Sequence, residues 1–168
     1  EDIKKHGGKP IMWKTGHSLI KQKLRDEQAL LAGEMSGHMF FADRYFGFDD
    51  GIYAGIRVLE ILDRSGKRIS ELLNDVPKTY ATPEIRVDCP DEVKFKIVQG
   101  VAGYFKSRYQ TIDIDGVRIE FGDGWGLVRA SNTQPILVTR FEATSEKRLA
   151  EIRKLVEDKI SEFSAKVR

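Results

Sequence analysis

Residues 125–143 read WGLVRASNTQPILVTRFEA, a polar segment between two strand-like runs. The runs at 125–130 and 136–143 are rich in the branched and aromatic side chains that favour strands. The segment 129–135 offers a fixed cation, two hydroxyls, two side-chain amides and several backbone N–H groups. Such a concentration of donors suits a dianion such as a phosphate monoester. A polar hairpin turn with an exposed Arg129 is the alternative interpretation, because short motifs often match by chance.

The sequence on either side of this stretch predicts a sheet covered by two helices. Asp115-Gly116 and Asp123-Gly124 are dipeptides that fit tight turns between short antiparallel strands. Upstream, apolar side chains alternate over 85–89 as in a half-buried strand, and a helix is expected from Asp91. The last helix carries one apolar stripe, formed by Leu149, Ile152, Val156, Ile160 and Phe163. We therefore expect residues 84–168 to form an α+β domain with an antiparallel sheet and two helices.

The N-terminal part of the chain shows a different order of predicted strands and helices. Residues 11–13 and 30–33 are short apolar runs typical of buried strands, and a helix with Ser18 as its N-cap is expected between them. Another helix is predicted to begin at Asp49-Asp50 and to end at Gly66. This order favours a truncated α/β domain with a mixed sheet in which strands run parallel.

The boundary between the two parts is predicted from composition. Residues 75–83 contain Pro77 and Pro83 and few large apolar side chains, which indicates a hinge linker. The first domain is therefore placed at 1–74, before the linker. The opening residues are typical of a helix end that Gly7 stops, so we expect this chain to be the C-terminal piece of a longer protein.

A second polar segment, GEMSGH at 33–38, lies between two apolar runs. Its glycines permit a tight turn. Glu34 is a strong acceptor for adjacent sugar hydroxyls, Ser36 can donate or accept a hydrogen bond, and the imidazole of His38 can donate or accept a proton. The alternative is a turn between two buried strands, with Glu34 and Ser36 at the surface and His38 satisfied by a structural hydrogen bond.

Composition and charge exclude several classes of protein. The chain has 168 residues, of which 32% are charged, and a net charge of +2 with basic and acidic residues interspersed. This balance argues against a nucleic-acid partner. No apolar run approaches the roughly 20 residues of a membrane span, so no membrane partner is expected. Cys89 is the only cysteine, so no internal disulfide can form, and we predict a cytoplasmic protein.

Taken together, the motifs resemble the bacterial phosphomannomutase/phosphoglucomutase branch of the α-D-phosphohexomutases. The resemblance extends over essentially the whole chain through the segments at 13–18, 33–38, 46–51 and 129–135. At two positions the sequence resembles the hexose branch and not the glucosamine branch of the family. The glucosamine branch usually carries Gln where this chain has Met35 and Gly where it has Asn132. The resemblance implies most of domain three and all of domain four of a four-domain enzyme. For domain four it implies a fold like that of the TATA-binding protein.

The resemblance also implies a reaction and roles for individual residues. Phosphate moves between C1 and C6 of a glucose or mannose phosphate through a bisphosphate intermediate, and Glu34 and Ser36 are expected to hold the O3 and O4 hydroxyls. His38 is a candidate general acid or base, or else a structural histidine. Further substrate contacts are expected from Lys14 and His17. The non-reacting phosphate is assigned to a set of polar side chains in and just after the 129–135 segment: Arg129, Ser131, Asn132, Thr133 and Arg140.

Two elements of the family are absent from this sequence, namely the phosphoserine loop and the Asp-Gly-Asp-Gly-Asp-Arg magnesium loop. Asp113-Ile114-Asp115-Gly116 lacks the third aspartate and is predicted to be a hairpin turn. We therefore expect Mg²⁺ to bind in N-terminal domains of the same enzyme, and glucose 1,6-bisphosphate to act as intermediate and activator. The chain alone is expected to be inactive. The alternative is a non-enzymatic anion-binding or nucleic-acid-binding module.

Overall fold

The computed structural model describes residues 2–167, and the chain divides into a first unit that ends at Val76 and a second that begins at Pro77. The first unit contains α1 (Asp2–Lys5), α2 (His17–Asp26), β1 (Leu31–Gly33), β2 (Met39–Phe41), α3 (Gly51–Ser65) and a 3₁₀ turn at Ile69–Glu71. The second contains β3 (Tyr80–Ala81), β4 (Ile85–Asp88), α4 (Asp91–Lys106), β5 (Gln110–Ile112), β6 (Val117–Glu120), β7 (Gly124–Ala130), β8 (Ile136–Ala143) and α5 (Glu146–Lys166). Within 2–167, no helix is long and apolar enough to cross a bilayer.

The two strands that the structure describes in the first unit form an antiparallel pair, whereas the parallel strands suggested by the sequence were those at 11–13 and 30–33. β1 and β2 pair antiparallel, with Leu31 opposite Phe41 and Gly33 opposite Met39. The connection at 34–38 is short, whereas a parallel crossover needs about a dozen residues or more. The strand predicted at 11–13 is wrong, since these residues lie outside any strand and are 41–47% exposed. A short apolar run forms a strand only where a partner strand lies beside it.

Helix ends in the first unit follow the capping rules in α3 and depart from them in α2. The Asp50 carboxylate accepts a hydrogen bond from the N–H of Tyr53, and Gly66 ends α3 with a left-handed φ of 63°, as predicted. The predicted N-cap Ser18 instead lies inside α2, which begins at His17 after Gly16. Gly16 has a φ of 135°, a conformation that favours glycine and that sets the direction in which α2 starts.

The second unit is an antiparallel sheet packed against two helices, which confirms the predicted α+β architecture. Its strands lie in the order β3-β8-β7-β6-β5, and β4 also pairs with β8. Both helices bury apolar side chains against the sheet, and the fully buried members of this core include Val101, Phe105, Val117, Ile119, Val128, Phe141, Ile152 and Val156. Each such side chain contributes about 1.5–3 kcal/mol to folding. The rigid sheet thereby fixes the two strand ends that flank 131–135.

Part of the predicted hinge linker is bound to the sheet. Tyr80 and Ala81 pair with Ala143 and Glu142. The N–H of Thr82 donates to the carbonyl of Phe141 over 2.9 Å, and the hydroxyl of Thr82 accepts from the N–H of Phe141 over 3.1 Å. The part of 75–83 that lies outside the sheet is therefore short.

Candidate functional site

The segment 33–38 forms a tight turn that joins β1 to β2. The N–H of Glu34 donates to the carbonyl of His38 over 2.9 Å, and the N–H of Gly37 donates to the carbonyl of Glu34 over 3.0 Å. Gly37 has a φ of 95°, a left-handed conformation that L side chains rarely adopt. The turn therefore holds Glu34, Ser36 and His38 on one short piece of backbone.

Glu34 and Ser36, both predicted to bind sugar hydroxyls, contact each other. The hydroxyl of Ser36 donates to Oε2 of Glu34 over 3.1 Å. The other oxygen, Oε1, accepts the N–H of Gly16 over 3.1 Å, just before α2 begins. A carboxylate has about four acceptor sites, so two remain for a ligand after these bonds are made. The carboxylate is thus oriented by the protein and still able to accept hydrogen bonds from vicinal hydroxyls.

His38 is held by Asp49, for which the sequence predicted a place at a helix start but no contact with His38. Nδ1 of His38 lies 2.7 Å from Oδ2 of Asp49, and Oδ1 of Asp49 accepts the N–H of Met39 over 3.2 Å. Burial favours the neutral carboxyl of Asp49, but the hydrogen bonds from His38 and the Met39 N–H outweigh it and lower the pKa of Asp49. The ionised carboxylate can only accept, so Nδ1 of His38 donates to it, and in the neutral form of the ring the lone pair is on Nε2.

His17 completes a cluster with His38 and Asp49. Its ring lies edge-on to that of His38, with 4.4 Å between centroids, and 5.3 Å from the ring of the fully buried Phe40. Nε2 of His17 is 3.9 Å from Oδ2 of Asp49. The three side chains of the cluster are 29–44% exposed, so a ligand can reach them. Lys14 is exposed and has no hydrogen bond or ion pair with the other residues of 2–167.

The same three residues offer a set of metal-ligand atoms, all within 4.8 Å of one another. The 2.7 Å between Nδ1 of His38 and Oδ2 of Asp49 is the length of a hydrogen bond that shares a proton. Two imidazoles and one carboxylate also do not match Mg²⁺, which takes oxygen ligands in an octahedron. We interpret the cluster as hydrogen-bonded histidines and not as a magnesium centre.

The segment 129–135 runs from the last residues of β7 into a loop that is closed by its own serine. The N–H of Ser131 donates to the carbonyl of Ile136 over 3.0 Å. The hydroxyl oxygen of Ser131, a residue that is 7% exposed, accepts the N–H groups of Thr133 and Gln134 over 3.3 and 3.1 Å. Two of the backbone donors that the sequence suggested for an anion are therefore occupied by Ser131 in this conformation. Asn132 and Thr133 keep exposed side chains at the tip.

Arg129 and Arg140 lie on the face of the sheet that is opposite the helices. Arg129 is opposite Val138 in the β7–β8 register, and Arg140 is two residues further along β8 on the same face. Neither guanidinium forms a hydrogen bond or ion pair within 2–167, and Nε of Arg140 is buried without a partner. On the same face, Arg118 is paired with Glu120 over 2.6 Å. Two guanidiniums without partners on one face of the sheet, one of them at the start of the loop, favour an anion with several oxygens.

The turn at Asp115-Gly116 lies against the backbone of Arg129. Gly116 has a φ of 75°, and a Cβ added to it would lie 2.2 Å from the carbonyl oxygen of Val128 and 2.6 Å from Cβ of Arg129. Only glycine fits this position without displacing β7. The segment 113–116 is therefore a turn, as predicted, and it fixes the backbone from which Arg129 projects.

Comparison with known proteins matches both units of the chain. A family model described as phosphoglucomutase/phosphomannomutase, alpha/beta/alpha domain III, matches residues 1–80. A second model, phosphoglucomutase/phosphomannomutase, C-terminal domain, matches residues 84–159. These matches agree with the resemblance inferred from the motifs.

Individual relatives cover nearly the whole chain. It is 50% identical to a phosphomannomutase/phosphoglucomutase of Pseudomonas putida over 154 residues, which are 90% of this chain and 33% of the relative. It is 52% identical to a phosphoglucomutase of Neisseria meningitidis serogroup A over 147 residues, 86% of this chain and 32% of the relative. A solved phosphoglucomutase/phosphomannomutase family protein of Burkholderia thailandensis, 46% identical, superposes with a TM-score of 0.85 over 96% of this chain and 34% of its own. The chain thus spans about a third of the length of the relatives it matches.

Proposed function

The chain belongs to the phosphoglucomutase/phosphomannomutase family, and we propose that it is the C-terminal part of an enzyme that interconverts the 1-phosphates and 6-phosphates of glucose and mannose. The names of its relatives support this activity for the longer protein. The observation that carries the proposal is the pair of unpaired guanidiniums, Arg129 and Arg140, on one face of the sheet, with Arg129 leading into a loop of exposed polar side chains. No observation favours a nucleic-acid-binding module.

In this proposal the second unit binds the phosphate group that does not react. Arg129 supplies a planar pair of donors to two phosphate oxygens, and Arg140 supplies a second cation on the same face. Asn132 and Thr133 add neutral donors from the loop tip, while Ser131 holds the loop in shape. Holding this phosphate fixes the far end of the sugar, and such positioning is a large part of what proteins contribute to phosphoryl transfer.

The first unit supplies the contacts to the sugar ring. Glu34 accepts hydrogen bonds from O3 and O4, and Ser36 assists as donor or acceptor. These hydroxyls are shared by glucose and mannose, which differ at C2, so a site built on them admits both sugars. Lys14 and His17 are proposed as further contacts, His17 because its ring is in contact with that of His38.

His38 is proposed as the group that moves the proton of the reacting hydroxyl. Nε2 carries the lone pair because Nδ1 donates to Asp49, so Nε2 can accept the hydroxyl proton as phosphate is transferred. The ionised Asp49 then stabilises the imidazolium that forms.

The remaining components are proposed to lie in other domains of the longer enzyme. The described residues offer no oxygen-rich group of the kind Mg²⁺ prefers, and the sequence contains no phosphoserine loop of the family type. Mg²⁺, the phosphoserine and the bound glucose 1,6-bisphosphate intermediate are therefore assigned to those domains acting together with this chain. We propose that the chain alone has no mutase activity and that the longer enzyme is cytoplasmic.

The proposal is tested by titrating the ¹⁵N-labelled chain with glucose 1-phosphate and following backbone amides by NMR. We expect shifts at Asn132 and Thr133, with a dissociation constant near the millimolar range, about −4 kcal/mol. Glucose, which lacks the phosphate, is the matched ligand and is expected to leave these amides unchanged. Equal shifts with both ligands, or shifts that avoid the loop, would contradict the proposed phosphate site.

A further inference from the structure

Lys94 is a buried cation that contacts the 129–135 loop from helix α4. It lies in the first turns of α4 and is 3% exposed. Its ammonium donates to the backbone carbonyl of Gln134 over 3.0 Å and to the carboxylate of Asp91. The side chain of Asp91 is 65% exposed, so the lysine is the buried member of this pair. The contact with Gln134 joins residues 40 positions apart in the sequence.

The hydrogen bonding of the fold does not require this lysine. The carbonyl of Gln134 also accepts the N–H of Ile136 over 2.8 Å, so it would keep a partner without Lys94. The largely exposed Asp91 can be solvated by water. Lysine is rarely buried to this degree, because the ammonium loses its hydration, and apolar replacements of buried ion pairs are often neutral or stabilising. The position of Lys94 therefore points to a role beyond folding.

We propose that Lys94 is a positioning residue for the anion-binding loop, holding the Gln134 peptide and placing a buried positive charge next to the loop. The inference rests on the proposed phosphate site. A charge held in a poorly hydrated environment interacts more strongly with a bound anion than a solvated one does. The ammonium also holds the carbonyl oxygen of Gln134 towards α4. This orientation keeps the carbonyl oxygen, which would repel an anion, away from the phosphate oxygens. The ligand class is the phosphate monoester of a sugar.

Three variants of this chain separate the possible roles of Lys94. Lys94→Met has similar volume and removes both the charge and the donor. Lys94→Gln removes the charge but keeps a donor for the carbonyl of Gln134. Asp91→Asn is the matched control, because it changes the exposed partner and leaves the ammonium and its contact with Gln134 in place. For each variant we would measure the glucose 1-phosphate dissociation constant from the Asn132 and Thr133 amides, the carbonyl ¹³C shift of Gln134 without ligand, and the urea midpoint.

We expect Lys94→Met to weaken glucose 1-phosphate binding by about 10-fold, in line with the loss of one hydrogen bond to a charged group. Its urea midpoint should stay unchanged or rise. Lys94→Gln should lie between Lys94→Met and the native chain in affinity, while Asp91→Asn stays close to native. The carbonyl shift of Gln134 should move in Lys94→Met without any ligand, a change that a stability effect alone would not produce.

The outcomes distinguish this inference from the proposal on which it rests. If the native chain shows no loop shifts with glucose 1-phosphate, the phosphate site and the role of Lys94 both fail. If the native chain binds and Lys94→Met and Lys94→Gln bind equally well, the role of Lys94 alone fails. If Lys94→Met unfolds, the lysine has a structural role. In that case native affinity for glucose 1-phosphate in a folded Lys94→Gln would overturn the proposal that the positive charge of Lys94 assists anion binding.

Discussion

His38 and Asp49 are joined by a hydrogen bond of 2.7 Å between Nδ1 and Oδ2, and this bond determines which nitrogen of the ring is free to act as a base. The partners lie 11 residues apart, on the two sides of a single β-bridge between Phe40 and Asp49. The backbone N–H of Met39 holds the other oxygen of Asp49. The folded backbone therefore fixes the orientation of the imidazole through Asp49.

Asp49→Asn tests this relationship. Asparagine keeps an oxygen that can accept the Met39 N–H. Its amide can either donate to Nδ1 of His38 or accept from it, so we expect His38 to populate both tautomers. Long-range ¹H–¹⁵N NMR of the ring would show the mixture, and activity of the longer enzyme should fall by about 10²-fold, the lower end of a general-base contribution. Asp26→Asn, at the exposed end of α2, is the control. An unchanged tautomer in Asp49→Asn would contradict the assigned role.

Arg129→Ala tests the phosphate site directly. We expect a loss of about 2–5 kcal/mol of substrate binding in the longer enzyme, as for the truncation of one partner of a buried charge pair. Calorimetric titration with glucose 1-phosphate provides the measurement. Arg153→Ala, which removes a guanidinium paired with Glu157 on α5, should leave affinity unchanged. Comparable losses in both variants would show a general effect of net charge.

Ser131→Ala tests whether the loop needs its internal hydrogen bonds. The variant leaves the N–H groups of Thr133 and Gln134 without their acceptor, and we expect a stability loss of about 1–3 kcal/mol. Urea unfolding of the chain provides the measurement. Ser161→Ala removes an exposed helical hydroxyl that donates to the carbonyl of Glu157 and should change stability little. Native stability in Ser131→Ala would mean that the loop keeps its shape by other contacts.

Glu60 on α3 links stability of the first unit to pH. Hydrogen bonds from Arg44, over 2.9 and 2.7 Å, lower the pKa of Glu60 from 4.5 to about 2, although burial acts in the opposite direction. Because the folded-state pKa of Glu60 is below the unfolded value, the ionised carboxylate stabilises the folded chain. This stabilisation is complete above pH 4.5 and is lost as the pH falls through about 2. Glu60→Gln should therefore be less stable than the native chain at pH 7, and the difference should shrink in acid. Asp63→Asn, on the same helix, is the control for urea series at several pH values.

Gly116→Ala should strain the turn that contacts β7. Alanine would meet the carbonyl oxygen of Val128 and Cβ of Arg129, and the left-handed φ of 75° adds a penalty of about 1 kcal/mol. We expect a lower melting temperature and shifted amides at Val128 and Arg129. Gly122→Ala, with a φ of 83° but open space around its Cβ, isolates the steric part of the effect. Equal destabilisation in the two variants would rule out a steric role for the contact with β7.

The elements that the sequence predicted well are those with local signals. β8 was expected at 136–143 and is found at Ile136–Ala143, because β-branched and aromatic side chains follow a proline that ends the loop. Helix α3 was bounded correctly by a carboxylate cap and a glycine stop. Residues 11–13 were assigned to a strand in error, since pairing depends on distant segments that a short apolar run does not specify.

The site was predicted in part for the same reason. Glu34, Ser36 and His38 share one turn, so their proximity follows from the sequence. Asp49 was not recognised as the partner of His38. A signal was present, because a helix start needs only one capping carboxylate and Asp50 alone caps α3. The second aspartate was therefore available for another role. Lys94 was missed because charged residues are expected outside, yet its spacing of three and four from Ile97 and Val98 places it on the apolar face of α4.

The single thiol of the chain provides a natural reporter. Cys89 is 5% exposed, and its N–H donates to the carbonyl of Pro135 over 2.8 Å, so it adjoins the exit of the 129–135 loop. A maleimide reagent reaches a side chain this deep only when the surrounding structure transiently opens. Labelling kinetics of the unmodified sequence would therefore measure how often this corner of the sheet opens, and protection by a sugar phosphate would register occupancy without any introduced probe.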